Sequence, residues 1–380
     1  MKTKRALTIA AFVLLNLVIA SVARAEVSPC GTGVQTRRVT YLSDTTNAQD
    51  SRTDPGDTEY KVRLRGSLHY KTLEPGEVLK NRPVLIFNHG HEQERGEACA
   101  IVKYFTSKNW VVFVPLRRGH YLDKDDDNDG VNERLRSTGI YIDDFVSACG
   151  RSFLEASSSN YLTNLYCGSN DCRAEIACGT EHRDSAVELG YLNEQRIDVR
   201  DQISYIKSYP AIAIDAPIKK WKLADPDQIV ILGHSYGGGL MVFTNAHDYG
   251  QSVAIDIQGA ELSWDNEEDP YWSIDLRFAM HEQKRPMFLL QPRNGKSLNP
   301  TKNLFAIAVD QQYRSQAAIF PNAPCTDYAT NSDGEKIPVF PPCPGTDDLK
   351  QVHGSFIGHA EQVENWGPSV IEFAKRYPRN

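Results

Sequence analysis

Short apolar runs recur along the chain at 63–70 (RLRGSLHY), 83–90 (PVLIFNHG), 110–119 (WVVFVPLRRG), 228–235 (QIVILGHS), 252–260 (SVAIDIQGA), 286–292 (PMFLLQP) and 317–321 (AAIFP). They are rich in β-branched and aromatic residues, and most stop at Gly, Asn or Pro, which predicts strands. Helical spacing between them predicts helices over 94–108, 188–208, 237–247, 271–284, 302–315 and 367–376. Strands that are apolar on both faces and alternate with helices predict an α/β fold, a mostly parallel sheet covered by helices on both sides. Ligands of such sheets bind at the carboxyl ends of the strands. The turns after 83–88 and 228–234 are exits of that kind.

One segment breaks the alternation. Residues 120–187 are long, polar and rich in Cys, Ser and Asp, with little periodicity. A stretch of that length inside a domain is functional or held by crosslinks, so it reads as an insertion at the rim of the site. The domain proper is expected over 60–380, preceded by an N-terminal segment, 26–59.

The first residues change the compartment. Lys2, Lys4 and Arg5 precede an apolar stretch from Leu7 to Ala23, and Ala23-Arg24-Ala25 supplies small residues around a cleavage point. This is the anatomy of a signal peptide over 1–25, cleaved before Glu26; the competing reading is an uncleaved anchor. A secreted or periplasmic protein with no stable membrane insertion after cleavage is expected. The eight cysteines (Cys30, Cys99, Cys149, Cys167, Cys172, Cys178, Cys325 and Cys343) then read as disulfides rather than a zinc site. Cys325 and Cys343, which bracket a Pro-rich loop, are the simplest pair to propose. The segment 1–25 carries four basic residues and no acid, so the net charge of −7 becomes −11 on cleavage. That excess of acid disfavours nucleic acid or an anionic membrane as partner.

The strand at 228–234 ends in Gly233-His234-Ser235-Tyr236-Gly237, and a helical pattern follows at once. Strand, sharp turn and helix are what a nucleophilic serine on a G-x-S-x-G elbow requires; the alternative is a glycine turn that happens to contain Ser235. An activated serine needs oxyanion donors, and the backbone N–H groups of Tyr236 and His91 are the candidates, His91 lying in the turn after 83–88. His89, His91 and Glu92 as metal ligands are a rival reading of that turn. The base is expected late in the chain, where His353 and His359 both stand in what reads as a loop before the final helix. His353, followed by Gly354 and Phe356, is preferred.

These segments together ("FNHGH", "VPLRRG", "ILGHSYGGG" and "HGSF" with "NWGPSVIEFAKR") resemble the α/β-hydrolases, and among them the dienelactone-hydrolase-like and acyl-peptidase-like secreted hydrolases. The resemblance spans about residue 60 to the C-terminus. It implies an eight-stranded sheet, a Ser-His-acid triad and hydrolysis of esters or amides, with no cofactor for catalysis. The chain departs from the pattern at one point. Where the family places its acid, this chain reads Asn294-Gly295, with no carboxylate between Met287 and Ala308. A triad acid fixes the histidine tautomer and stabilises the imidazolium; Asn294 could do only the first. Glu261, just past the strand at 252–260, is the replacement expected, with Asp256 and Asp265 nearby.

A second motif lies in the insertion. Asp125, Asp127, Asp129, Gly130 and Glu133 alternate as ligands of a hard cation do, making structural calcium the candidate there. The twelfth position of a full calcium loop is Arg136, so a solvated acidic loop is the competing reading. The expected function is a secreted serine hydrolase acting on a small-molecule or peptide acyl substrate, carboxylic esters first. A peptidase, or a weakly active binding protein on the same scaffold, stands behind it.

Overall fold

The computed structural model describes residues 26–27, 30–44, 61–90, 98–117, 183–214, 217–261, 264, 271–323, 327–330, 336–339 and 349–379. In chain order its elements are β1 (Glu26–Val27), β2 (Val34–Asp44), β3 (Lys61–Lys71), β4 (Val78–Leu79), β5 (Arg82–Asn88), α1 (Cys99–Ser107) and β6 (Val111–Leu116). There follow α2 (Arg183–Ser208), β7 (Pro210–Ala213), β8 (Pro217–Lys222), β9 (Ala224–His234), α3 (Tyr236–Asn245), β10 (Val253–Ile257) and α4 (Tyr271–His281). The chain closes with β11 (Met287–Pro292), α5 (Asn299–Asp310), β12 (Ser315–Phe320), β13 (Asp327–Thr330), β14 (Lys336–Val339), α6 (Leu349–Gly358) and α7 (Ala360–Arg376).

The main sheet runs β1-β2-β3-β6-β5-β9-β10-β11-β12. It consists of eight full strands with the two-residue β1 as an added edge. From β6 to β12 every neighbouring pair is parallel, whereas β2, β3 and β6 pair antiparallel. The continuous apolar runs serve two faces at once. Ile229 and Ile231 of β9 join Ile86, Leu289, Val199, Ile203 and Leu240 in one core, while Val230 and Leu232 join Leu85, Phe87, Phe288, Phe105 and Trp366 in the other. A strand side chain points to alternate faces, so a run covered on both sides has no polar position to spare. Burying each such side chain stabilises the fold by about 1.5–3 kcal/mol.

The helices differ from the expected spans in instructive ways. The stripe Val363, Trp366, Val370 and Phe373 is buried, so α7 begins at Ala360 and runs through Pro368. A proline suggests a helix start, but here an apolar face continuous on both sides of it outweighs the roughly 3 kcal/mol that an interior proline costs. Residues 349–358 form α6 rather than a loop. The sheet also reaches into 26–59, because β2 pairs with β3 over its whole length; its half-polar pattern, with Leu42 exposed between buried Tyr41 and Ser43, hid it.

Cys30 and Cys99 form a disulfide that ties the start of β2 to α1. The pair Cys325 and Cys343 lies outside the described residues, as do Cys149, Cys167, Cys172 and Cys178 and the acidic motif Asp125, Asp127, Asp129 and Glu133. No described helix is long and apolar enough to cross a membrane.

Candidate active site

Ser235 sits between β9 and α3 with φ 57° and ψ −121°, a conformation costing of order 1–3 kcal/mol that surrounding structure must hold. Its N–H donates to Ile257 O (2.9 Å) and its carbonyl accepts from Gly239 N–H (3.1 Å). The tightness of the turn explains its glycines: a Cβ on Gly233 would overlap Gly237 O, and one on Gly237 would overlap the carbonyls of Asn88 and His89. That second approach brings the end of β5 against the elbow, with Gly90 packed beside the Ser235 Cβ. Tyr236 is the first residue of α3, where helix geometry turns backbone N–H groups towards an incoming anion. His91, the other expected oxyanion donor, is outside the described residues, as is Glu92.

The β5 exit is held from behind by Arg117, which follows β6. This buried guanidinium donates to His89 O and Gly90 O, and its carbon lies 5.1 Å from the centre of the Tyr236 ring. Nothing in the sequence assigned Arg117 a role, although "VPLRRG" marked it as a strand exit. His89 is buried, with Nδ1 2.9 Å from Gly90 O. Among the described residues no group of three His, Cys, Asp or Glu side chains is placed to hold a metal ion.

His353 projects from α6 and is buried. Its Nδ1 lies 2.7 Å from Glu261 Oε2. A carboxylate only accepts, so Nδ1 carries the proton and Nε2 keeps its lone pair. Nε2 is buried and has no hydrogen-bond partner among the described residues, Ser235 Oγ included. His359, the other candidate, instead opens α7 as its N-cap residue, its N–H donating to Ser355 O (2.9 Å).

Glu261 reaches His353 because β10 and β11 are parallel neighbours, in register at Ile257 and Leu290. Their exit turns therefore lie side by side. The first turn bends sharply, with φ of 55° at Gln258 and 57° at Ala260, and carries Glu261 towards the β11 exit. The buried carboxylate also accepts from Gln258 Nε2 (2.6 Å, to Oε2) and Gln291 Nε2 (3.2 Å, to Oε1). Thr301 Oγ1 donates to Gln291 Oε1 (2.7 Å), fixing which end of that amide faces Glu261. A buried carboxylate is tolerable only when donors replace water in this way. Asn294 points elsewhere: its Nδ2 donates to Ala323 O (2.9 Å) and its Oδ1 accepts from Ala323 N–H (2.8 Å).

His234 links the parts. Its Nε2–H donates to His353 O (2.9 Å), and the two rings lie 4.5 Å apart. Burial, reinforced by His353, holds the His234 pKa well below its ordinary value. His234 therefore stays neutral beside the His353 ring. The sequence singled out His234 only as the x of G-x-S-x-G, since its bond to His353 spans distant segments.

The sheet order, the elbow after β9 and the histidine–carboxylate pair beside it give the chain the α/β-hydrolase fold. No protein-family model and no curated protein sequence matches the chain. Solved structures do. An acetyl xylan esterase from Paenibacillus sp. R4 is 11% identical, with a TM-score of 0.44, over 78% of this chain and 79% of its own. A Pyrococcus furiosus esterase is 11% identical, also with a TM-score of 0.44, over 89% of this chain and 91% of its own. The acylaminoacyl peptidase of Pyrococcus horikoshii is 14% identical, with a TM-score of 0.40, over 75% of this chain but only 37% of its own length.

Proposed function

We propose that the protein is an exported serine hydrolase that cleaves small carboxylic esters through an acyl-enzyme on Ser235. The observation that carries this reading is the buried His353 with Nδ1 on Glu261 and the lone pair of Nε2 left without a partner. In the proposed reaction His353 Nε2 takes the Ser235 proton as Oγ attacks the acyl carbonyl. Glu261 holds the tautomer and stabilises the imidazolium that forms. The N–H groups of Tyr236 and His91 receive the oxyanion. The proton then passes to the departing alcohol, and water, deprotonated by the same histidine, releases the acid. An alcohol leaves an acyl carbon more readily than an amine does, which places esters before peptides. The Cys30–Cys99 bond supports export, since disulfides persist in oxidising compartments.

Labelling with a fluorophosphonate, read by peptide mass spectrometry, tests the reading. An adduct on Ser235 that fails to form in His353→Ala is expected. A folded wild-type protein that takes no label would overturn it. Turnover of p-nitrophenyl acetate against an acyl-peptide anilide then separates esterase from peptidase.

A further inference from the structure

The strand-start end of the sheet, opposite the elbow, gathers positive charge. Arg285 lies two residues before β11, Arg314 immediately before β12, and Arg379 follows α7. With Lys284 and the backbone around Tyr377 and Pro378 they line a cavity of about 290 Å³ whose lining includes no carboxylate. In a chain of net charge −7 this is a local reversal of sign.

The charges answer to little within the protein. Arg379 is paired with Asp248 (2.6 Å), and Lys284 reaches Glu282 at 3.6 Å, both exposed. Arg285 has carbonyl partners only, donating through Nε to Ser252 O (3.2 Å) and through Nη2 to Pro378 O (3.4 Å). The Arg314 guanidinium makes no hydrogen bond or ion pair among the described residues. Burial, together with the charges of Arg379 and Arg314, lowers the Arg285 pKa, with Asp248 opposing; Lys207 behind Gly250 is lowered by burial and Arg379, again against Asp248. Like charges thus crowd around an opening with two carboxylates, Asp248 and Glu282, both outside its lining, to answer them. Guanidinium forks match the paired oxygens of an oxyanion, and an anion there would relieve the repulsion.

We propose that the pocket between Arg285, Arg314 and Arg379, with Lys284 on its rim, binds an oxyanion of the phosphate class. β11 spans six residues, about 20 Å of strand, between this pocket and the end that carries Glu261 and Ser235. The site is therefore separate from the acyl site and independent of the hydrolase reading.

The test is thermal unfolding of the purified full chain as sodium phosphate replaces sodium chloride at fixed pH and ionic strength. The wild-type midpoint is expected to rise and saturate. Arg314→Gln, at an exposed position, is expected to start within about 1 °C of wild type in chloride. It should need at least about tenfold more phosphate for the same rise, the loss of one charge-assisted hydrogen bond. Arg285→Gln is a second variant expected to weaken the response alike. Equal wild-type midpoints in the two salts, or a phosphate response that both variants retain, would overturn the proposal. Sedimentation with phosphatidylglycerol vesicles separates the sources: pelleting that Arg314→Gln abolishes places the phosphoryl group on a lipid, and no pelleting beside an intact phosphate response places it on a soluble ligand.

Discussion

Gly295 packs directly against Glu261. A Cβ at position 295 would overlap Glu261 Oε1 and stand 2.9 Å from Gln291 Nε2. The position where the family pattern asks for an acid is thus the space that the carboxylate from the neighbouring turn occupies. Asn294-Gly295 and Glu261 form one arrangement, in which a carboxylate arrives from the β10 exit and the β11 exit makes room for it.

Gly295→Ala should therefore displace Glu261 rather than merely crowd a loop. Overpacking of this kind costs about 1–3 kcal/mol. We expect fluorophosphonate labelling of Ser235 to slow by about tenfold or more, that energy falling on the histidine–acid contact. An unchanged labelling rate would place the acid's function elsewhere.

Glu261→Gln and Asn294→Ala should part in opposite directions. The first removes the negative charge that stabilises the His353 imidazolium and lets an amide N–H face Nδ1, favouring the wrong tautomer, and kcat on a p-nitrophenyl ester should fall by about 10³–10⁴-fold. The second breaks two hydrogen bonds to Ala323, with stability falling by about 1–3 kcal/mol in urea unfolding and kcat per titrated site nearly kept.

Asp256 predicts a pH dependence of stability. It is wholly buried in β10, accepts Gly259 N–H (2.8 Å), and burial raises its pKa to about 7. The unfolded carboxyl titrates near 3.9. Between about pH 4 and pH 7 the folded state holds a proton that the unfolded state has lost, so this group makes stability fall as pH rises. Asp256→Asn keeps an acceptor for Gly259 without the charge. Its unfolding free energy should match wild type near pH 4 and exceed it by up to a few kcal/mol above pH 7. A constant difference across that range would contradict the assignment.

The Cys30–Cys99 bond closes a sequence separation of 69 residues. In the chain-entropy account a loop of that length stabilises by about 4 kcal/mol. The double variant Cys30→Ser, Cys99→Ser should lose about 2–4 kcal/mol in denaturant unfolding, and a reducing agent should lower the wild-type midpoint by more than that of the variant.

Calcium at Asp125, Asp127, Asp129 and Glu133 is expected to raise the unfolding midpoint as ligand binding to the native state must. Identical melting in calcium and in chelator would dismiss it.

The sequence alone determined the strand-and-helix alternation, because continuous apolar runs such as 229–232 can be satisfied only by burial on both faces. It also determined the elbow, because the glycines around Ser235 answer a local steric demand that shows in five consecutive residues. The half-polar β2 was hidden because only its pairing with β3 makes its alternation meaningful. The contact of His353 with Glu261, the path of Glu261 into the space beside Gly295, and the grip of Arg117 on the β5 exit were decided only by tertiary structure. Each depends on which strands are neighbours and where their turns end, and contacts between residues 92 apart, as for Glu261 and His353, leave no periodicity in the chain.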